Sequence, residues 1–223
     1  MPYTLHHRHT KIVPKMLEYS KSLLPFSLKN FENWGNLMTL YSIQNYISDI
    51  RLITKEETIE KNIIDRIKPL SKKLVKNKSW IKSEYFDVDT KQGFGLHLLH
   101  EEIDHSLAVF VIAWAPDKGL APHNHKTWAV VSGIQGQEHE TNYKRIDDGS
   151  KEGYADLIKT HEETLYPGDA SCCLPEDIHS VWNNGNETAL SLHTYGMHLN
   201  HTGRSIFDIS QKTETPCIVK VQG

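Results

Sequence analysis

Apolar positions change their period part-way along the chain. In the first third, Phe31, Trp34, Leu37, Met38 and Tyr41 recur at three- and four-residue spacing, which is one face of a helix. Thr54 with Glu57 has the form of a capping box, in which each side chain satisfies a free backbone N–H at a helix start. Ile59, Ile63, Ile67, Leu70 and Leu74 then form one apolar stripe, with Pro69 expected to bend or interrupt that helix. After about residue 90 the texture changes. Runs rich in β-branched and aromatic residues alternate with Gly, Pro, Asn and Asp. The strand candidates are "GFGLHLLH", "LAVFVIAWA", "TWAVVSGI", "ETLY", "ASCCL", "SVWNN", "ALSLHTYG" and "CIVKV". Many short strands separated by turns indicate an all-β barrel or sandwich. The expected organisation is a helical annex over residues 1–88 packed on a barrel with a C-terminal extension over 89–223, as one structural unit.

Composition narrows the partners. At 223 residues the chain can bury an ordinary core without help from disulfides or metal. Its formal net charge is −3 and its basic residues are scattered, which argues against nucleic acid. The run "KPLSKKLVKNK" reads as a solvated helix face. No segment approaches the roughly 20 apolar residues of a membrane span, and "MPYTLHHRHTKIVPKM" lacks the apolar stretch of a signal peptide. Cys172, Cys173 and Cys217 are odd in number, and two are adjacent. Such a set suits buried filler in a reducing cytoplasm, which makes the sequons at Asn77, Asn186 and Asn200 chance matches. Of the 14 histidines, His6, His7 and His9 lie in a polar arm where adventitious metal binding or disorder is expected.

His123 and His125 in "PHNHKTW" change the picture. Residues i and i+2 of a strand share a face, so two imidazoles can reach one ion. A third donor is offered by "YPGDASCCLPEDIHSVWNN", where Gly168 and Pro175 mark turns, His179 opens a strand and Asn183 follows. In "ALSLHTYG", Leu190, Leu192 and Thr194 point one way while Ser191, His193 and Tyr195 line the other. The second face has the character of a site wall, in which one side chain acts and the others fix its proton.

The order His-x-His, Gly turn, then Pro…His…Asn resembles the two motifs of the cupin superfamily. That resemblance implies a mainly β, double-stranded β-helix barrel. Cupins often carry a Glu four or five residues after the second His, where this chain has Ala129 and Val130. The expected ligand set is therefore His123, His125 and His179, all neutral. Such a set leaves a divalent ion its full charge and favours an anionic substrate ligand.

With the relay strand included, the β portion is similar to the thiol dioxygenases, the cysteine dioxygenase family. The similarity runs from "LLH" through "VFVIAWAP", "HNHKTW", "QGQE" and "SLHTYG" to Arg204. It implies an iron(II) site on the three histidines and a relay of Ser191, His193 and Tyr195. It also implies conversion of a small thiol acid and O2 to a sulfinic acid, in a cytoplasmic monomer or homodimer with no nucleic-acid or membrane partner. The mammalian-type enzymes have a cysteine crosslinked to the relay tyrosine; Ala129, Val130 and Val131 stand in that region, so Tyr195 is expected to be free. The family's early-strand arginine falls at His97, which is expected to line the pocket and contact the substrate. Arg204 instead resembles the arginine of the bacterial subgroup acting on 3-mercaptopropionate, ranked here ahead of cysteine. The alternative for Arg204 is a surface salt bridge to Asp208. Trp128 is expected to pack in the barrel and to wall the pocket. A different metal-dependent cupin enzyme and a non-catalytic sensor are the competing readings.

Overall fold

The computed structural model describes residues 40–222. Most of the first apolar stripe, Phe31 to Met38, and the arm histidines lie outside these residues. Tyr41 precedes the first helix.

Helix α1 spans Ile43–Glu56 and α2 spans Glu60–Lys76. The start of α1 is fixed by a capping box on Ser42 and Asn45, which the sequence reading did not identify. The expected box on Thr54 and Glu57 does not form. Thr54 lies inside α1, where its hydroxyl donates back to the Ile50 carbonyl at 3.1 Å, a local bond that serines and threonines make readily in helices. Glu57 accepts instead from the backbone N–H groups of Thr58 and Ile59. α2 runs through Pro69 without interruption. The proline leaves one carbonyl of the preceding turn without its helical donor, and packing of the apolar stripe maintains the helix. Ile63, Ile67 and Leu74 are buried as that stripe requires, while Ile59 is exposed ahead of the first turn.

Eleven strands follow: β1 (Phe94–Glu101), β2 (Ala108–Trp114), β3 (Gly119–His123), β4 (Ala129–Gln135), β5 (Glu138–Arg145), β6 (Leu157–Leu165), β7 (Ala170–Cys173), β8 (Ile178–Trp182), β9 (Ala189–Tyr195), β10 (Ser205–Asp208) and β11 (Thr213–Pro216). They pair antiparallel in two sheets, one in the order β1-β2-β9-β4-β7 and the other in the order β11-β10-β3-β8-β5-β6. The fold is the mainly β, double-stranded β-helix barrel that the cupin resemblance implies, with a helical N-terminal part.

Seven of the eight strand candidates fall on strands. "CIVKV" does not: Cys217 and Val219 are buried, but the segment is irregular and the last strand is β11 before it. β3, β5, β10 and β11 escaped the sequence reading because their polar or mixed side chains give no apolar run.

The five-stranded sheet is buried on both faces. Its inner face carries Phe110, Ile112 and Trp114 of β2, and its outer face carries Val109, Val111 and Ala113. α1 and α2 cover the outer face, joining Ile50, Ile67 and Leu74 to Val130, Ile134, Leu190 and Leu192 in one cluster. Two hydroxyl pairs close the polar gaps in this interface, Tyr46 with Thr194 at 2.7 Å and Ser71 with Ser132 at 2.6 Å. The apolar stripes of the helices thus lie on a sheet face.

Candidate metal centre and substrate cavity

β3 and β8 bring two of the three histidines into register. His123, the last residue of β3, is the Cα partner of His179 in β8. The expectation that His123 and His125 share a strand is half met, for β3 ends at His123 and His125 lies in the turn beyond it. That turn is held from both sides. Asn124 exchanges backbone and side-chain bonds with Ser205, and the Lys126 N–H donates to the Pro175 carbonyl. Lys126 adopts a left-handed φ of 54°, which turns the chain back into β4. Gly168 takes φ 90° in the turn before β7, as its position in the motif requires.

The three imidazoles offer nitrogen atoms within 4.8 Å of one another, and the Nε2 atoms of His125 and His179 are 3.3 Å apart. All three side chains are buried. Burial, with His179 close by, drives the basicity of His123 and His125 well down, so both are neutral with free lone pairs. Facing nitrogens with no carboxylate among them suit a divalent cation, which replaces lone-pair repulsion by coordination. The buried Nδ1 of His125 has no partner, whereas the other two ligands are steered. His123 Nδ1 lies 2.9 Å from the Ala121 carbonyl, and His179 Nδ1 lies 2.8 Å from Glu140.

Glu140 was missed by the sequence reading. It sits in β5 with one oxygen on His179 and the other accepting from Ser171 at 2.9 Å. Burial is the largest single influence and would raise its pKa, but the attraction of His179 and the hydrogen bonds from His179 and Ser171 together hold it below its usual value. An anionic Glu140 accepts the Nδ1–H of His179 and leaves Nε2 for metal, as carboxylates behind ligating histidines do. The available signal was "EHE": Glu138 and Glu140 share one face of a strand. Glu138 is also buried, and burial raises its pKa to about 8.

Beside the histidines is a small cavity of about 20 Å3. Its walls are largely apolar, among them Phe94, Leu96, Ile112, Val181 and Leu199, and its polar groups are the three histidines, His193, Tyr195 and Arg204. On β9, Ser191, His193 and Tyr195 stand in one hydrogen-bonded row. Ser191 Oγ is 2.7 Å from His193 Nε2, and His193 Nδ1 is 2.8 Å from the Tyr195 hydroxyl. Burial lowers the pKa of His193 to about 3 and raises that of Tyr195, with Arg204 opposing, so the ring is neutral and the phenol keeps its proton. Ala129 is the Cα partner of Tyr195, and the three cysteines are free. Cys173 faces the barrel interior while Cys172 packs toward the helices.

Arg204 is 2% exposed, and its Nε and one terminal nitrogen have no partner. A buried guanidinium left unpaired is costly, and an anionic group in the cavity would offset that cost. The salt bridge to Asp208 is absent: the Asp208 carboxylate accepts from Ser210 and Gln211.

Two expected pocket residues lie elsewhere. His97 is on the outward face of β1, where its Nε2 is 2.9 Å from the Asp87 carbonyl and its ring packs on Tyr85. Leu96 takes the inward position, because alternate residues of a strand face opposite ways. Trp128 packs in the cluster beneath the helices and against Gly196 rather than on the cavity.

No family model matches the chain. Solved structures similar to it include an oxalate oxidase in complex with the substrate analogue glycolate, 14% identical over 52% of this chain and 59% of that one, with a TM-score of 0.40. Another is a protein with a double-stranded β-helix domain from Klebsiella pneumoniae, 21% identical over 58% of this chain and 98% of that one, with a TM-score of 0.40. The DMSP lyase DddQ from Ruegeria pomeroyi DSS-3 is 14% identical over 57% of this chain and 56% of that one, with a TM-score of 0.39. The chain thus spans less than two thirds of the length of the oxalate oxidase and the lyase.

Proposed function

We propose that the protein is a non-haem iron(II) thiol dioxygenase, which adds both atoms of O2 to the sulfur of a small thiol acid to give a sulfinic acid. 3-Mercaptopropionate is the favoured substrate and cysteine the next. The observation that carries this reading is the unpaired Arg204 guanidinium in the same small cavity as three converging histidines.

His123, His125 and His179 would hold the metal, which, when bound, supplies the redox chemistry that joins oxygen to sulfur. Three imidazoles bring no negative charge, so a thiolate from substrate completes the set. Arg204 holds the carboxylate end of the substrate through parallel N–H donors. The apolar walls exclude water around a short carbon chain, and fixing both ends of the substrate orders the encounter.

Tyr195 acts through its proton. With Ser191 donating to Nε2 of His193, the Nδ1–H donates to the phenol oxygen and leaves the phenol O–H free for the cavity. The raised pKa of Tyr195 keeps that proton in place as a hydrogen-bond donor to substrate.

Oxygen uptake by iron-loaded protein across a panel of thiols, with product mass, tests the reading. Uptake should require thiol and give the sulfinate, two oxygen atoms heavier. Tightly held zinc with no thiol-dependent uptake would overturn it in favour of a different metal-dependent enzyme or a sensor. Arg204→Ala should raise KM for thiol acids about 30- to 100-fold, the equivalent of one charged hydrogen-bonded pair. Thiols without a carboxylate should be spared, and equal effects on both classes would reassign the anchor.

A further inference from the structure

A second group of metal-ligating side chains converges outside the cavity. Glu101 ends β1, His105 lies in the β1–β2 turn, and His201 ends the 3-10 turn Leu199–His201 that follows β9. Each offers one ligand atom, and those atoms lie within 4.8 Å of one another. We propose that this is a second metal site, which takes a divalent ion of the zinc class through two imidazole nitrogens and one carboxylate oxygen.

The three segments are held together by backbone bonds that need no ion. The His198 N–H donates to the His105 carbonyl at 2.9 Å, the His201 N–H to His198 at 2.8 Å, and the His105 N–H to Glu102 at 2.9 Å. The ligand-bearing frame is therefore preformed, which keeps the ordering cost of binding small. His105 has φ 64°, a left-handed conformation that glycine or asparagine adopts more readily, yet the position carries an imidazole.

The chemistry of the donors selects the ion. The rings of His105 and His201 stack with centroids 3.6 Å apart and 12° between planes. Rings this close bring their donor nitrogens within reach of one ion. Glu101 supplies the negative charge, with an oxygen 2.5 Å from His105 Nδ1, where one proton bridges two atoms that can both bind metal. His201 is exposed, so its ring is free to turn out of the stack until both nitrogens face one ion. Two nitrogens and one oxygen suit zinc and its neighbours, whereas calcium and magnesium take oxygen. The half-exposed setting leaves room for water as the fourth ligand. His198 packs edge-on against His201 and Phe110 without joining the donor set, and its Nδ1 accepts from the Asn200 N–H.

The site joins the cavity through the chain. The clamped 3-10 turn carries Leu199, a cavity wall, and continues three residues on to Arg204. An ion here fixes that wall against the β1–β2 turn.

The test counts zinc in full-length protein, stripped by chelator, dialysed against micromolar zinc and analysed by mass spectrometry. His123, His125 and His179 are intact in every variant, so their ion cancels from the difference. Wild type should hold one more zinc per chain than H105A/H201A, while H6A/H7A/H9A should keep the wild-type number. His201→Ala alone, at an exposed position, should weaken the second ion about tenfold or more. Zinc should also raise the melting temperature of wild type further than that of His201→Ala. Equal zinc in wild type and H105A/H201A, or loss of the extra ion in H6A/H7A/H9A instead, overturns the proposal.

Discussion

The two faces of β9 share one backbone and have opposite physics. Leu190, Leu192 and Thr194 face the helices, where apolar contact is continuous and Thr194 has the Tyr46 hydroxyl as partner. Ser191, His193 and Tyr195 face the barrel, in a chain of hydrogen bonds beside a cavity and an unpaired guanidinium. Both faces are fully buried. On β9 the outer face is therefore given to packing, whereas on the inner face burial sets protonation states and leaves ligand positions open. The difference teaches that low exposure alone does not identify a core: the inner face is as dry as the outer, but its polar groups are placed for a ligand.

Substitutions that separate the faces test this division. The largest effect is expected from His179→Ala, which should abolish bound metal and turnover together while metal-free protein still folds. Full activity in that variant would remove His179 from the ligand set. On the other face, Leu192→Ala should cost about 2–5 kcal/mol in denaturant unfolding and leave metal affinity unchanged. A loss of metal affinity matching that of Glu140→Gln would show that the faces are coupled rather than separate.

Glu138 gives a pH signature for the inner face. Its folded pKa of about 8 lies above the ordinary carboxylate value of 4.5, so between those pH values the unfolded chain gives up a proton that the folded chain keeps. Stability then falls as pH rises through this window and levels off above the folded pKa. Glu138→Gln should remove that decline and make the protein the more stable of the two at pH 8.5, on the order of a few kcal/mol. Parallel unfolding curves at pH 5 and 8.5 in both proteins would contradict the assignment. The smallest effect belongs to Glu140→Gln, which should weaken metal binding about 10- to 100-fold by loosening His179, measured by competition with a chelator. Unchanged affinity would make the Glu140 contact structural only.

Much of the site was legible because its residues sit in local patterns. Alternation in "ALSLHTYG" separated the relay from the packing face, and the turn residues around His179 marked a strand start. His97 misled because period-two alternation was not applied there: with Phe94 and Leu96 facing inward, His97 had to face out. Glu140 was hidden because a carboxylate in a polar strand looks solvated until another strand covers it. The capping box failed for a similar reason, since Ser/Thr-x-x-Glu spacing occurs inside helices as well as at their starts.

By itself, the sequence determined the period of each element, the three histidines as candidate ligands and the relay on one face of β9, because each depends on spacing along the chain. Tertiary structure alone decided that His123 opposes His179, that Glu140 stands behind it, that Arg204 is buried without a carboxylate, and that the helices cover a sheet face. Those outcomes depend on strand order and register, which bring together residues up to tens of positions apart, and no local pattern encodes which strand becomes the neighbour of which.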